Sequence, residues 1–179
     1  KIEENWADLD FTTLSLSAHK LHGPKGVGTL IYRSSRKDQA LSPLLLGGGQ
    51  ERGYRSGTEN VSGIVGFGEA IRRISPEKIV QGQALSDYLY QLLNGADIDY
   101  QINGDPTQKS AFIHHLWIRG LPSEMLLIQL DLAGIAVSAG SACSSGSLLP
   151  SRVLTSYYPG EDQRLRESIR VSFGYQTSP

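Results

Sequence analysis

The chain has 179 residues, with 17 Lys and Arg against 18 Asp and Glu, a formal net charge of −1 and a pI near 6.5. With 39% apolar and 20% charged residues, this is the composition of a folded globular chain, long enough to bury its own core as one domain or two small ones. The near-neutral balance excludes a general nucleic-acid or anionic-membrane binder, which needs clustered excess Lys and Arg.

The most apolar window, Met125–Ile135, is too short to span a bilayer and carries Asp131. Cys143 is the only cysteine, which rules out an internal disulfide framework and makes a reducing, cytoplasmic setting the expectation. Twenty glycines are about 11% of the chain, against a usual share of about 7%, and direct attention to Gly-rich loops. The opening Lys1-Ile2-Glu3 is neither a signal nor a transit peptide. Met125 is the only methionine, so a processed chain or part of a longer one is expected.

In chain order, Thr13–Ser17 alternates polar and apolar residues and predicts a half-buried strand. Ala18-His19-Lys20 follows, then the turn-rich 23–28 segment, then a second strand over Gly28–Tyr32. Residues 33–38 read as a solvated turn. A Gly-rich loop spans 47–58, and helical periodicity follows, with Val61, Ile64, Val65, Ala70, Ile71 and Ile74 on one face. Gly63, Gly66 and Gly68 each cost that helix about 1 kcal/mol relative to Ala, so a close neighbour is expected there. Ser75-Pro76 opens a second helix that stops at Asn94-Gly95. This places a domain boundary at residue 75. Beyond it the pattern predicts a strand over 111–118, a helix over 122–133 closed by Gly134, a short strand over 135–138, a loop over 139–148 and a last strand over 167–173. That last strand would carry Ile169, Val171 and Phe173 on one face and Ser168, Arg170 and Ser172 on the other. Alternating strands and helices indicate an α/β or α+β chain.

Three segments could carry chemistry. A Lys at a strand end, as Lys20 is, can form a Schiff base with a carbonyl cofactor when burial or a nearby cation depresses its pKa. Ser17 and His19 offer donors to an anion such as a cofactor phosphate; on this segment alone, a solvent lysine opening a turn is the simpler reading. A lone Cys is usually a small buried hydrophobe, yet Cys143 lies in Ala-Gly-Ser-Ala-Cys-Ser-Ser-Gly-Ser. Such a segment makes a poor core strand and suits an accessible, reactive thiol. The segment 47–60, with Arg52 and Arg55 leading into a helix start, suits anion binding or is an ordinary surface loop; it lacks the Walker spacing. His114-His115 has no further ligand spacing, so structural histidines and no metal site are expected.

Together these segments resemble the pyridoxal-phosphate-dependent cysteine desulfurases of the NifS/IscS type, in the class-V aminotransferase family. The matching text is Ser-Leu-Ser-Ala-His-Lys-Leu-His-Gly-Pro-Lys-Gly-Val-Gly (15–28), Gly-Gly-Gly-Gln-Glu-Arg-Gly-Tyr-Arg-Ser-Gly-Thr-Glu-Asn (47–60), Ser-Ala-Gly-Ser-Ala-Cys-Ser-Ser-Gly-Ser (138–147) and Ser-Ile-Arg-Val-Ser-Phe-Gly (168–174). The resemblance implies an α/β fold, the C-terminal part of a transferase of the aspartate-aminotransferase type. Residues 1–74 would complete the large cofactor-binding domain, and 75–179 would form a small α+β domain bearing the Cys143 loop.

The resemblance also implies roles. Lys20 would bind pyridoxal 5'-phosphate covalently and later shuttle protons, with Ser17 and His19 on the phosphate. Thr58 would reach the phosphate of the other subunit's cofactor, hence a homodimer. Arg170 would clamp the carboxylate of L-cysteine, and Cys143 would take its sulfur as a persulfide, leaving alanine. The persulfide would pass to a sulfur-acceptor or iron–sulfur scaffold protein. The family's aspartate for the pyridinium nitrogen, its ring-stacking histidine and its first phosphate loop would lie before Lys1, so this chain is expected to be inactive until completed by that segment. Tyr175 stands where the family commonly has Arg. The alternatives are a selenocysteine lyase or cyst(e)ine C–S lyase, which need no persulfide-carrying thiol, and a non-catalytic piece that only binds partners.

Overall fold

A computed structural model describes residues 9–33, 41–140 and 151–179. The chain divides between Ser75 and Pro76 into two compact units.

In the first unit, strands β1 (Thr13–Ser17) and β2 (Gly28–Tyr32) pair antiparallel, with Thr13 opposite Tyr32 and Ser17 opposite Gly28. A 3-10 turn over Ala18–Leu21 caps the ribbon, followed by His22 in the left-handed region at φ 63°. Ala18 is fully buried; its N–H donates to Val27 O at 3.1 Å, and its carbonyl accepts from Gly23 N at 2.9 Å. Gly28 is dictated by proximity, since a Cβ there would stand 2.6 Å from Leu16 O.

Helix α1 (Val61–Arg72) starts at Asn60, whose Oδ1 accepts from Gly63 N at 3.0 Å. That is the side-chain acceptor an N-cap supplies to an otherwise unpaired first-turn N–H. Of the three glycines expected to have a close neighbour, Gly68 has nothing within 4 Å of an added Cβ and Gly63 only the Asn60 capping side chain, but a Cβ on Gly66 would lie 2.7 Å from Pro24 Cγ. The helix therefore packs on the turn that follows Lys20. The apolar face predicted for α1 is not its buried one, however. Val61 and Val65 are 65% and 62% exposed, while Gly63 and Phe67 are buried. Periodicity identifies the apolar stripe but not what covers it.

The second unit opens with α2 (Pro76–Gly95), bounded where its Pro and Gly signals predict. Strands β3 (Tyr100–Ile102) and β4 (Ile113–Ile118) follow, then α3 (Ser123–Leu132), β5 (Ser138–Ala139), the short helices α4 (Arg152–Tyr157) and α5 (Asp162–Arg166), and β6 (Ser168–Ser172). The four strands form an antiparallel sheet in the order β3-β4-β6-β5. Leu116, Ile118 and Ile169 centre the core on one sheet face, packed with Tyr90 and Leu93 of α2 and Leu126 and Leu130 of α3. The tightest approach is at Gly82 of α2, where a Cβ would meet the Phe112 ring at 2.6 Å. Tyr175 sits edge-on to Phe112, ring centroids 5.2 Å apart, with Lys78 Nζ 4.6 Å from its own ring.

The expected 135–138 strand is instead the two residues of β5. Gly134, at φ 78°, ends α3, and Ile135 N still donates to Leu130 O at 2.8 Å as part of that helix ending. Strand β3 and helices α4 and α5 had no counterpart in the pattern, because each is six residues or fewer and too short to display a period.

Candidate active site

Ser17, His19 and Lys20 lie on one exposed turn at the end of the β1–β2 ribbon. Ser17 occupies the N-cap of the 3-10 turn with extended backbone and makes no side-chain capping bond there, so its hydroxyl is available outward. The turn's backbone is tied down from behind: Ala18 is hydrogen-bonded to Val27 and Gly23, and α1 packs on Pro24.

Thr58, also exposed, belongs to the loop that leads into α1. That loop closes on itself. Ser56 Oγ donates to Gly48 O at 2.8 Å, Gly57 N donates to Gln50 Oε1 at 3.2 Å, and Glu51 and Arg52 adopt left-handed φ of 49° and 58°. Arg55, one of the two guanidiniums read as anion-binding, donates to Gly57 O at 2.7 Å and more loosely to Ser56 O and Thr58 O, both at 3.4 Å. Its donors thus brace the backbone that presents Thr58. Cys143 lies outside the described residues; it follows Ala139, the end of β5, by four positions.

Arg170 belongs to the second unit. On β6 it lies directly between His115 of β4 and Ser138 of β5 in register, so the three share one sheet face, opposite the apolar core. Its Nε is buried without a hydrogen-bond partner, and so is Nε2 of His115. Behind them runs a polar network absent from the sequence reading. Arg164, buried, donates from Nε to Asn103 Oδ1 at 2.7 Å, and its guanidinium carbon stacks 3.6 Å from the Tyr158 ring centroid. Asn103 Nδ2 lies 2.9 Å from both Ser168 Oγ and His115 Nδ1. The signal that could have found it is the polar face of the last strand, where Ser168 and Arg170 alternate with Ile169.

The adjacent His114 points to the other face, fully buried, with Nε2 against Ala111 O at 3.1 Å and Nδ1 against Tyr90 Oη at 2.9 Å. Burial, and then the charge of Lys109, hold its pKa below the ordinary 6.5 despite the Ala111 bond. Burial, and then Arg170, push His115 down to about 4. Both imidazoles are neutral near pH 7. Among the described residues, no group of three or more His, Cys, Asp or Glu is arranged to hold a metal ion.

The aminotransferase class-V family profile matches residues 1–179, the whole chain. The chain belongs to the class-V aminotransferase family. Among similar proteins, it is 45% identical over 184 residues to a cysteine desulfurase of Bradyrhizobium diazoefficiens, covering 99% of this chain and 45% of that protein. It is 40% identical over 181 residues to the cysteine desulfurase IscS of Dictyoglomus turgidum, with the same coverage of each. In three dimensions it resembles the NifS-like protein from Rickettsia africae with a TM-score of 0.75 at 30% identity, over 93% of this chain and 43% of that one. This class-V chain thus spans less than half the length of the relatives it matches, and its fold is α/β, a part of the NifS-like pyridoxal-phosphate-dependent transferase fold.

The donor set of this class-V chain suits the family's cofactor. An aldehyde needs a primary amine and a phosphate monoester needs hydrogen donors; Lys20 carries a group of the first kind, and Ser17 and His19 groups of the second, on one exposed turn. No helix among the described residues is long and apolar enough to cross a membrane.

Proposed function

We propose that the chain supplies the lysine, the thiol and the carboxylate-binding arginine of a cysteine desulfurase, acting in the cytoplasm on L-cysteine. The observation that carries this reading is the display of Ser17, His19 and Lys20 on a single exposed turn, braced from behind by Ala18 and Pro24, in a chain 45% identical to a cysteine desulfurase.

Lys20 Nζ holds the cofactor's aldehyde carbon and afterwards carries a proton. Ser17 Oγ and His19 donate to the phosphate. Thr58 donates to the phosphate bound by a second copy, which makes the working unit a homodimer. When bound, pyridoxal phosphate supplies an electron sink for charge developing at the substrate's Cα. The Arg170 guanidinium pairs with the substrate carboxylate, a charge-assisted contact of planar fork to planar anion.

Cys143 Sγ, as thiolate, attacks the substrate sulfur. A sulfur–sulfur bond forms and the Cβ–sulfur bond breaks; its electron pair stays with the carbon skeleton, which takes up a proton and leaves as alanine. The sulfur remains on Cys143 as a persulfide, for transfer to an acceptor or iron–sulfur scaffold protein. The test is spectroscopic. The complete protein incubated with pyridoxal phosphate develops a lysine-dependent absorbance band that Lys20→Ala abolishes; a band that survives Lys20→Ala contradicts the assignment.

A further inference from the structure

His115 and Arg170 present two orphaned donors side by side, and the protons on them can be placed by following the network behind. A guanidinium can only donate, so Arg164 Nε, 2.7 Å from Asn103 Oδ1, fixes which end of the Asn103 amide is oxygen. Nδ2 is then the donor. Ser168 Oγ gives its own proton to Arg164 O at 2.6 Å and accepts from Asn103 Nδ2 at 2.9 Å. The other amide proton goes to His115 Nδ1, also at 2.9 Å, which must therefore be the unprotonated nitrogen. A neutral His115 accordingly carries its proton on Nε2, the buried atom without a partner.

Arg170 is the direct cross-strand partner of His115, and its Nε–H is likewise buried and unpaired. Neither can satisfy the other, because both are donors. Leaving two donors buried and unpaired is unfavourable, which is tolerable where an arriving acceptor offsets it. An acceptor with two oxygens can meet two neighbouring donors with one oxygen each, as a carboxylate does. A single negative charge matches the one positive charge that Arg170 supplies beside a neutral imidazole.

We propose that His115 Nε2–H and Arg170 together form a two-donor carboxylate subsite, in which His115 is a substrate-binding residue. This rests on the reading of Arg170 as the carboxylate clamp, and adds to it a second donor whose proton is set by the Arg164–Asn103–His115 relay.

The full chain is labelled with 15N at histidine and titrated with propionate, with propionamide as the uncharged control. In the wild-type protein the His115 Nε2 resonance is protonated and shifts as propionate saturates, and propionamide leaves it unmoved. His115→Phe weakens propionate binding about tenfold, the worth of one hydrogen bond to a charged group, whereas His115→Gln, which retains an N–H, recovers part of it. Arg170→Ala abolishes binding. If Arg170→Ala abolishes binding while the His115 resonance stays fixed and His115→Phe binds normally, the subsite proposal fails and the Arg170 reading stands. If Arg170→Ala binds propionate as the wild type does, or the wild type binds none, both fail.

Discussion

Arg164 reaches Asn103 Oδ1 with its Nε at 2.7 Å across 61 positions of sequence, and that bond orients the amide whose Nδ2 lies 2.9 Å from both Ser168 Oγ and His115 Nδ1. The guanidinium also contacts Glu161 Oε2 at 3.3 Å and lies against Tyr158. Replacing Arg164 with Ala therefore leaves a half-buried amide oxygen unpaired and opens a space beneath the aromatic ring. We expect Arg164→Ala to destabilise the chain by about 2–4 kcal/mol. Arg164→Lys should recover less than half, because an ammonium cannot reproduce the planar stack. Equilibrium denaturation reads both, and a loss under about 0.5 kcal/mol, the range of a surface substitution, would contradict the account.

Acid should weaken the fold before the carboxylates are touched. His114 and His115 are both held below the ordinary 6.5, the latter at about 4. Between those values the unfolded chain binds protons that the native chain does not, so stability falls as pH drops from about 6.5 towards about 4. Glu69 and Asp105 are held below their ordinary values, chiefly by hydrogen bonds from Arg73 and Thr107, so their contribution is lost only at lower pH. Denaturation midpoints at pH 7 and pH 5 measure this directly, and His115→Gln should flatten the dependence. A midpoint unchanged between the two pH values would show that neither histidine is buried neutral.

At Gly82 two effects oppose each other. Alanine raises helix propensity by about 1 kcal/mol, but its Cβ would lie 2.6 Å from the Phe112 ring, and Phe112 is itself buried. Overpacking of a closed core costs about 1–3 kcal/mol, so the clash wins. Gly82→Ala should lower the melting temperature, and adding Phe112→Leu should restore part of it. A stabilised Gly82→Ala would mean the ring moves aside freely.

The sequence was most informative where chemistry is local. The β1–β2 pair ends where alternation and glycine placed it, and α2 runs from Pro76 to Gly95 as its proline and glycine predict. The Ser17–Lys20 turn could be named because its residues are contiguous. The relay behind Arg170 could not: Asn103, His115, Arg164 and Ser168 come from separate stretches and meet only through the antiparallel register of β4 and β6 and the placement of the short α5. The apolar stripe of α1 was legible as a period but not as a buried or exposed face, for a related reason. Its period is real, but burial depends on tertiary neighbours that periodicity does not encode.

In the proposed desulfurase the amine of Lys20 and the thiol of Cys143 act on the same substrate. Intact-mass and peptide analysis of the complete, cofactor-loaded protein after a short exposure to L-cysteine, with alanine quantified in parallel, tests this. One added sulfur atom is expected at Cys143, with loss of both the added sulfur and the alanine in Cys143→Ser, although that variant keeps the cofactor's absorbance. Alanine formed by Cys143→Ser at the wild-type rate would contradict it.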